Sequence, residues 1–574
     1  MSNRIHSSAE DHQISGTQPP KSAPGGWKSV KYILGMETFE KLASISLVAN
    51  LVLYLRNMYN LDIATSANIS IIWNGSGNIL ALVGALVADT YLGKFKTILF
   101  ASLSSLLGIG LMTLTAGIPI FRPSHCEEQS QNCQHPLRWQ MAVLYGALGL
   151  LAIGAGGIRP CNVSFGADQF DKTTEKGVQQ LSSFINWYFF LFTAVVLIVL
   201  TGVVYVQTNI SWFIGFAIPT GCIVLSISLF LIGRHTYVLL KPQGSIFVDL
   251  AKVIVAAFRK RDIISIGQIP FYDPHLIAGK NLSQTRRFRF FDKAAMIVEP
   301  GELDEMGLPK NGWRLCSVQM VEQFKCVVAI TPILVTGIFT HMAQQQPPTF
   351  GILQAVQMDK NARKFKIPPA WVKLTVLLTV SLWILFYEKI YIPLMQKWSK
   401  KDRRLSIQLR FTIGLVCSIL CMIVSGIIEK KRKESALRNG TFESPMSIAY
   451  LILPFAMAGL TEAFAGIALM EYIMTQWPEH MRTLAGGIFL FSMSITNYLN
   501  SIIVGVINKL SKINGQSPWL NGNDLNKSKL DYYYYTIGFL AALNLVYFLV
   551  SARHYLTTVV ADDSEKQVDM EEFA

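Results

Sequence analysis

Apolar residues in this chain fall in long blocks separated by short polar stretches, and neither strict alternation nor a one-faced helical stripe dominates. A bilayer core takes about 20 residues of helix, and lipid leaves the backbone only its own hydrogen bonds, so blocks of this kind predict membrane-spanning helices. One set runs Ile33 to Leu55, Ala67 to Asp89, Thr97 to Leu114, Met141 to Val163, Phe184 to Val206 and Trp212 to Gly233. A second set runs Val321 to Ala343, Trp371 to Ile392, Phe411 to Ile428, Ile448 to Met470, Gly486 to Ile507 and Tyr533 to Val550. The expected fold class is an all-α membrane protein of twelve transmembrane helices in two six-helix bundles.

The polar intervals divide the chain into a tail over 1–30, a first bundle over 31–233, a linker over 234–320, a second bundle over 321–552 and a tail over 553–574. The first tail has no long apolar core, which excludes a secretory signal. An even number of spans places both tails on one side; taking that side as cytosolic puts 30 Lys/Arg inside and 16 outside, in the sense of the positive-inside rule. The basic run between Glu429 and Glu434 falls outside, against the trend. Composition agrees with a membrane protein, at 51% hydrophobic and 15% charged residues. The net charge of +14 is spread over loops that meet anionic headgroups, so lipid and not nucleic acid is the expected partner. Cys126 and Cys133 share one outer loop and are candidates for a disulfide. Sequons at Asn68, Asn439 and Asn526 face the same side and are candidate glycosylation sites.

Within the linker, Ile246, Phe247, Leu250, Ile254 and Phe258 recur at helical spacing before Arg259, Lys260 and Arg261. This predicts a lateral amphipathic helix, lying on the membrane or, preferably, docked on the bundles. The following stretch, Tyr272 to Gly312, is rich in Pro, Gly and charge and carries no expectation of fixed structure.

Charges inside the spans carry the functional signal, because an ionised group in lipid is costly and is kept for a reason. Starting the first span after Lys41 would leave it too short, so Glu37, Glu40 and Lys41 lie below the membrane surface, on one helix face. A carboxylate in low dielectric beside a movable cation is a proton-binding candidate. The fourth span offers Arg159 at the end of a small-residue run from Gly154 to Gly157, and the tenth offers Glu462 at a similar depth. An Arg159 to Glu462 bridge would join the two bundles and couple protonation to their rocking. At the inner edge, Asp89, Gly93, Lys94 and Lys96 predict a short loop that latches helix ends by ion pairs.

These motifs, together with Gly156-Gly-Ile-Arg159-Pro-Cys161, Phe165-Gly-Ala-Asp-Gln-Phe170-Asp171, Phe184-Ile-Asn186-Trp187-Tyr188-Phe189 and Trp477-Pro-Glu-His-Met-Arg482, resemble the plant nitrate and peptide transporter family. That family is the proton-coupled oligopeptide transporter branch of the major facilitator superfamily. The resemblance implies proton symport, with Glu37, Glu40 and Lys41 as coupling motif and Arg159 and Glu462 as the inter-bundle pair. Lys41 stands where most relatives have Arg, replacing a bidentate fork by a point charge. Gln344 stands where nitrate-carrying relatives have His, with His341 three residues earlier. Relatives with the Glu-x-x-Glu-Lys form include carriers of nitrate, glucosinolates and iridoid glucosides, and a neutral Gln344 suits sugars. Asn74, Asn186, Trp187 and Tyr188 are further candidates for lining a solute cavity.

The leading functional expectation is a monomeric proton symporter of glycosylated metabolites, in the plasma membrane or alternatively the vacuolar membrane. Alternatives are a low-affinity nitrate carrier or exporter, and a sensor or channel without coupled transport. Scattered histidines argue against an enzyme, and the sequence offers neither a phosphate-binding Gly-x-x-x-x-Gly-Lys loop nor metal-ligand spacing, so no cofactor or metal is expected.

Overall fold

The computed structural model describes residues 25–124, 134–171, 174–240, 246–262, 270–273, 285, 287–304, 307–362, 365–399, 405–476, 482–511, 518–520 and 524–552. Eleven helices are long and apolar enough to cross a membrane, and a bent pair makes up to twelve. The first six are Gly26–Tyr59, Ile63–Leu92, Lys94–Gly117, Arg138–Ala167, Gln179–Ile210 and Trp212–Thr236. The seventh is the pair Val318–Ala329 and Thr331–Val356, followed by Pro369–Met395, Ile407–Asn439, Ile448–Ile473, Gly486–Leu510 and Leu530–Ala552. The first helix begins at Gly26, ahead of the boundary expected after residue 30.

Small residues set how closely the spans approach. A Cβ on Gly156 would sit 2.7 Å from Leu80 Cβ, and one on Gly84 would overlap the Gly156 carbonyl, so the second and fourth spans touch backbone to backbone. Gly154 and Gly157 face the third span at Ser105 and Ala101 in the same way. The glycine run thus packs one helix on two neighbours, as small residues do where lipid supplies no hydrophobic drive.

The seventh span departs from the straight helix expected over Val321 to Ala343. It bends by 40° between Ala329 and Thr331. Pro332 lacks an N–H and crowds the carbonyl four residues back, which breaks the ladder at that point. The helix then continues well past Ala343, through Gln344 and on to Val356.

The two bundles meet from the midplane outward. Ser76 and Tyr498 hydroxyls lie 2.8 Å apart, and Ser494 donates to the Gly75 carbonyl at 2.8 Å. Further out, Val52, Ile63, Ala64 and Ala67 pack with Ala343, Phe350 and Leu353, and Leu53 packs with Ile352 and Val356. In the expected orientation, with both tails cytosolic, these contacts close the outer side.

The linker is more ordered than its composition predicts. Its helix, Ile246–Arg259, docks on the seventh span through Val253, Ala256 and Ala257 against Val318, Val321 and Phe324. The stretch expected to lack structure instead buries Ala294, Ala295 and Met296 and forms two ion-pair clusters. Lys260 reaches Glu302 at 3.2 Å, and Lys325 of the seventh span reaches Asp292 at 2.6 Å and Glu322 at 2.8 Å. Burial pulls the Lys260 ammonium below the usual lysine range, with Glu302 opposing the shift. Average polarity concealed charges that are spent on one another.

The basic run outside the membrane has a similar resolution. The ninth helix continues to Asn439, and fully buried Arg432 donates to both oxygens of Glu429 at 2.8 Å and to Asn526 at 3.0 Å. This corrects the glycosylation expectation at Asn526, whose amide also donates to the Phe442 carbonyl and is shielded by the fold. Asn68 sits within the second span's helix, half-buried and with its Oδ1 shielded. Asn439 is exposed at a helix end. Cys126 and Cys133 lie outside the described residues.

Candidate functional site

The first span delivers its charges together, as the i, i+3, i+4 spacing requires. Lys41 Nζ lies 3.3 Å from Glu37 Oε1 and 3.1 Å from Glu40 Oε2, with both carboxylates buried. Neighbouring spans complete the set: Tyr188 OH donates to Glu37 Oε1 at 2.8 Å, Asn162 Nδ2 donates to Glu37 Oε2, and Ser44 Oγ donates to Glu40 Oε1. One cation therefore serves two carboxylates, and neutral donors take up the remaining lone pairs. Adding a proton to either acid would weaken its hold on Lys41. The cluster opens onto a cavity lined by Leu34, Thr38, Phe192 and Val195.

Arg159 stands one helical turn from Asn162, so the fourth span points both at the same region. Its Nη1 donates to Asn78 Oδ1 at 2.8 Å, and it lines an internal cavity with Ser44 and Trp73. Glu462 begins a wide turn, Glu462–Gly466, and accepts from Gln344 Nε2 at 2.6 Å. Gln344 Oε1 lies 2.8 Å from His341 Nδ1, whose ring is buried edge-on to Phe489. The expected Arg159 to Glu462 bridge is absent: among the described residues each group pairs with a neutral amide of its own bundle. The bundles instead meet through Ser76 with Tyr498 and Ser494 with Gly75.

Several residues expected to face solute also have partners within the protein. Gln344 bonds Glu462 and His341, Tyr188 bonds Glu37, and Asn74 bonds the Ser70 carbonyl of its own helix. Trp187 is exposed and meets Phe190 edge-on, while the Asn186 side chain lies outside the described set. At the inner edge, Gly93 turns the chain at φ 77° and Lys94 pairs with Asp168 at the end of the fourth span. Lys96 is exposed, and Lys94 at the start of the third span joins it to the end of the fourth, with Asp89 nearby. Sequence reading missed Asn162, Ser44 and Asn78, and it missed Lys373, which faces the first span from the eighth. Each was discoverable as a polar side chain within an apolar block.

Two helical bundles packed together over a cluster of buried charges fit a transporter of the major facilitator type. The profile described as PTR2, POT family, matches residues 95–520. Protein NRT1/PTR FAMILY 2.8 of Arabidopsis thaliana is 48% identical over 542 residues, covering 94% of this chain and 96% of that protein. NRT1/PTR FAMILY 2.13 of the same plant is 43% identical over 542 residues, covering 93% and 87%. The crystal structure of the POT family transporter PepTSo superposes with a TM-score of 0.67 at 18% identity, covering 94% of this chain and 99% of that one. The chain belongs to the POT family, in its plant nitrate/peptide transporter group.

Proposed function

We propose that this chain is a proton-coupled symporter that carries glycosylated small metabolites across the plasma membrane by alternating access. The observation that carries the reading is the buried Glu37–Lys41–Glu40 cluster, in which one ammonium is shared by two acids at 3.3 and 3.1 Å. Protonating either acid removes half of Lys41's hold, so a proton changes the cluster's geometry and not only its charge. Arg159 and Glu462 supply the second element: apart while the outer side is closed, they would pair across the bundles when the inner side closes. The neutral Gln344 beside Glu462 favours hydroxyl-rich solutes over a site built on a fixed cation.

Nitrate transport is the second reading, favoured by Arg159, whose only hydrogen-bond partner among the described residues is the neutral Asn78. The test is uptake in oocytes at acidic and neutral external pH, comparing nitrate with several glucosides. Acid-stimulated accumulation of a glucoside, lost in Glu37→Gln and in Glu40→Gln, is the expected result. Flux indifferent to pH and to both substitutions would overturn symport and leave a channel or sensor.

A further inference from the structure

Lys373 lies one turn into the eighth span, yet its ammonium crosses to the other bundle. Nζ donates to the Ala49 carbonyl at 3.1 Å and is 3.4 Å from the Val48 carbonyl, both on the first span. Among the described residues no carboxylate lies within ion-pair reach of it. Those carbonyls sit about two helical turns from Lys41, on the side of the charge cluster expected to face outward. Around the contact, Ala370 packs against Ala49, Val196, Leu200 and Val204, a seam between bundles that must separate if the outer side opens. A cation held within the membrane only by carbonyls that already serve their own helix is weakly satisfied, and it gains from any anion that reaches it.

We propose that Lys373 recruits negatively charged solute on the outer side: held by first-span carbonyls while that side is closed, and turned toward the incoming anion when the bundles part. The proposal rests on alternating access but not on proton coupling. An oxyanion such as nitrate and an acidic group on a larger glucoside offer the same chemistry.

The test places a thiol at Ala370→Cys in a full-length chain whose Cys126 and Cys133 are Ser, and measures its modification from outside by anionic and cationic methanethiosulfonates. A unit charge one helical turn away, roughly 6 Å, shifts the anion-to-cation rate ratio about tenfold in water. The ratio is expected to fall about that much in Lys373→Gln, which keeps a donor for the carbonyls, and to recover in Lys373→Arg. Protection of the introduced thiol by nitrate or by a sulfated glucoside, present with Lys373 and lost in Lys373→Gln, identifies which anion is recruited. An unchanged ratio, a thiol that never reacts, or protection by neither solute overturns the proposal. Loss of pH dependence in uptake bears on symport alone and leaves the ratio where it was.

Discussion

Replacing Glu462 by Gln separates the two conformations of the carrier. With the outer side closed, Glu462 Oε2 accepts from Gln344 at 2.6 Å and its side chain is 32% exposed. A glutamine offers the same carbonyl geometry to Gln344, so this state loses only the charge assistance, about 1 kcal/mol or less. The opposite state loses an ion pair with Arg159, which there exchanges the neutral Asn78 for a carboxylate. Such a hydrogen bond is worth about 1.5–3 kcal/mol, and partial exposure discounts it toward 1–2 kcal/mol. Net of the outer-closed state's own loss of about 0.5 kcal/mol, the difference is roughly 0.5–1.5 kcal/mol, and at 1.4 kcal/mol per tenfold the inner-closed state should become roughly 2- to 12-fold rarer.

The assay is initial uptake at saturating solute and acidic external pH. Maximal rate should fall in that range while the folded amount of protein is unchanged. Arg159→Gln should produce a similar loss, and the double variant should be little worse than either single one, because both remove the same contact. Full proton-driven uptake in Glu462→Gln, or losses that multiply in the double variant, would refute the bridge.

Lys41→Gln strands two buried carboxylates and should cost about 3–5 kcal/mol, read as lowered thermal stability of the purified protein, whereas Lys41→Arg keeps the charge and most of the stability. Gly84→Leu forces a side chain into the Gly156 backbone and should cost about 1–3 kcal/mol or more, while Gly110→Leu, with open space around it, serves as the control in the same melting experiment. Lys325→Met leaves Asp292 and Glu322 facing each other in the linker interface and should destabilise by about 3–5 kcal/mol; Asp292→Asn should cost less, since Lys325 retains Glu322.

What could be read from the residues alone followed the range of the physics. Spans are legible because the cost of unpaired backbone in lipid acts on every residue of a block, and the intramembrane cluster at Glu37, Glu40 and Lys41 is legible because helical spacing is local. The bend near Pro332 was legible and was passed over, since a long apolar block masked its one breaker. The order in the linker was not, because its stability lies in pairs such as Lys260–Glu302 and Lys325–Asp292, where each partner alone looks like a solvated charge. A second case is Arg432, which looked like a violation of charge asymmetry and is a buried side chain bound to Glu429.

The Arg159 to Glu462 pair differs from all of these. The two groups were matched by depth, yet they hold Asn78 and Gln344 instead. A sequence serves every conformation the chain visits, and an alternating carrier needs groups that are satisfied in each of them. Neutral amides on a neighbouring helix of the same bundle would provide that second partner at little energetic difference, so that a proton or a solute decides between the two arrangements. A permanent ion pair at the same positions would favour one state by several kcal/mol and stop the cycle. A charge beside a substitute of its own bundle is therefore what the proposed switch would require.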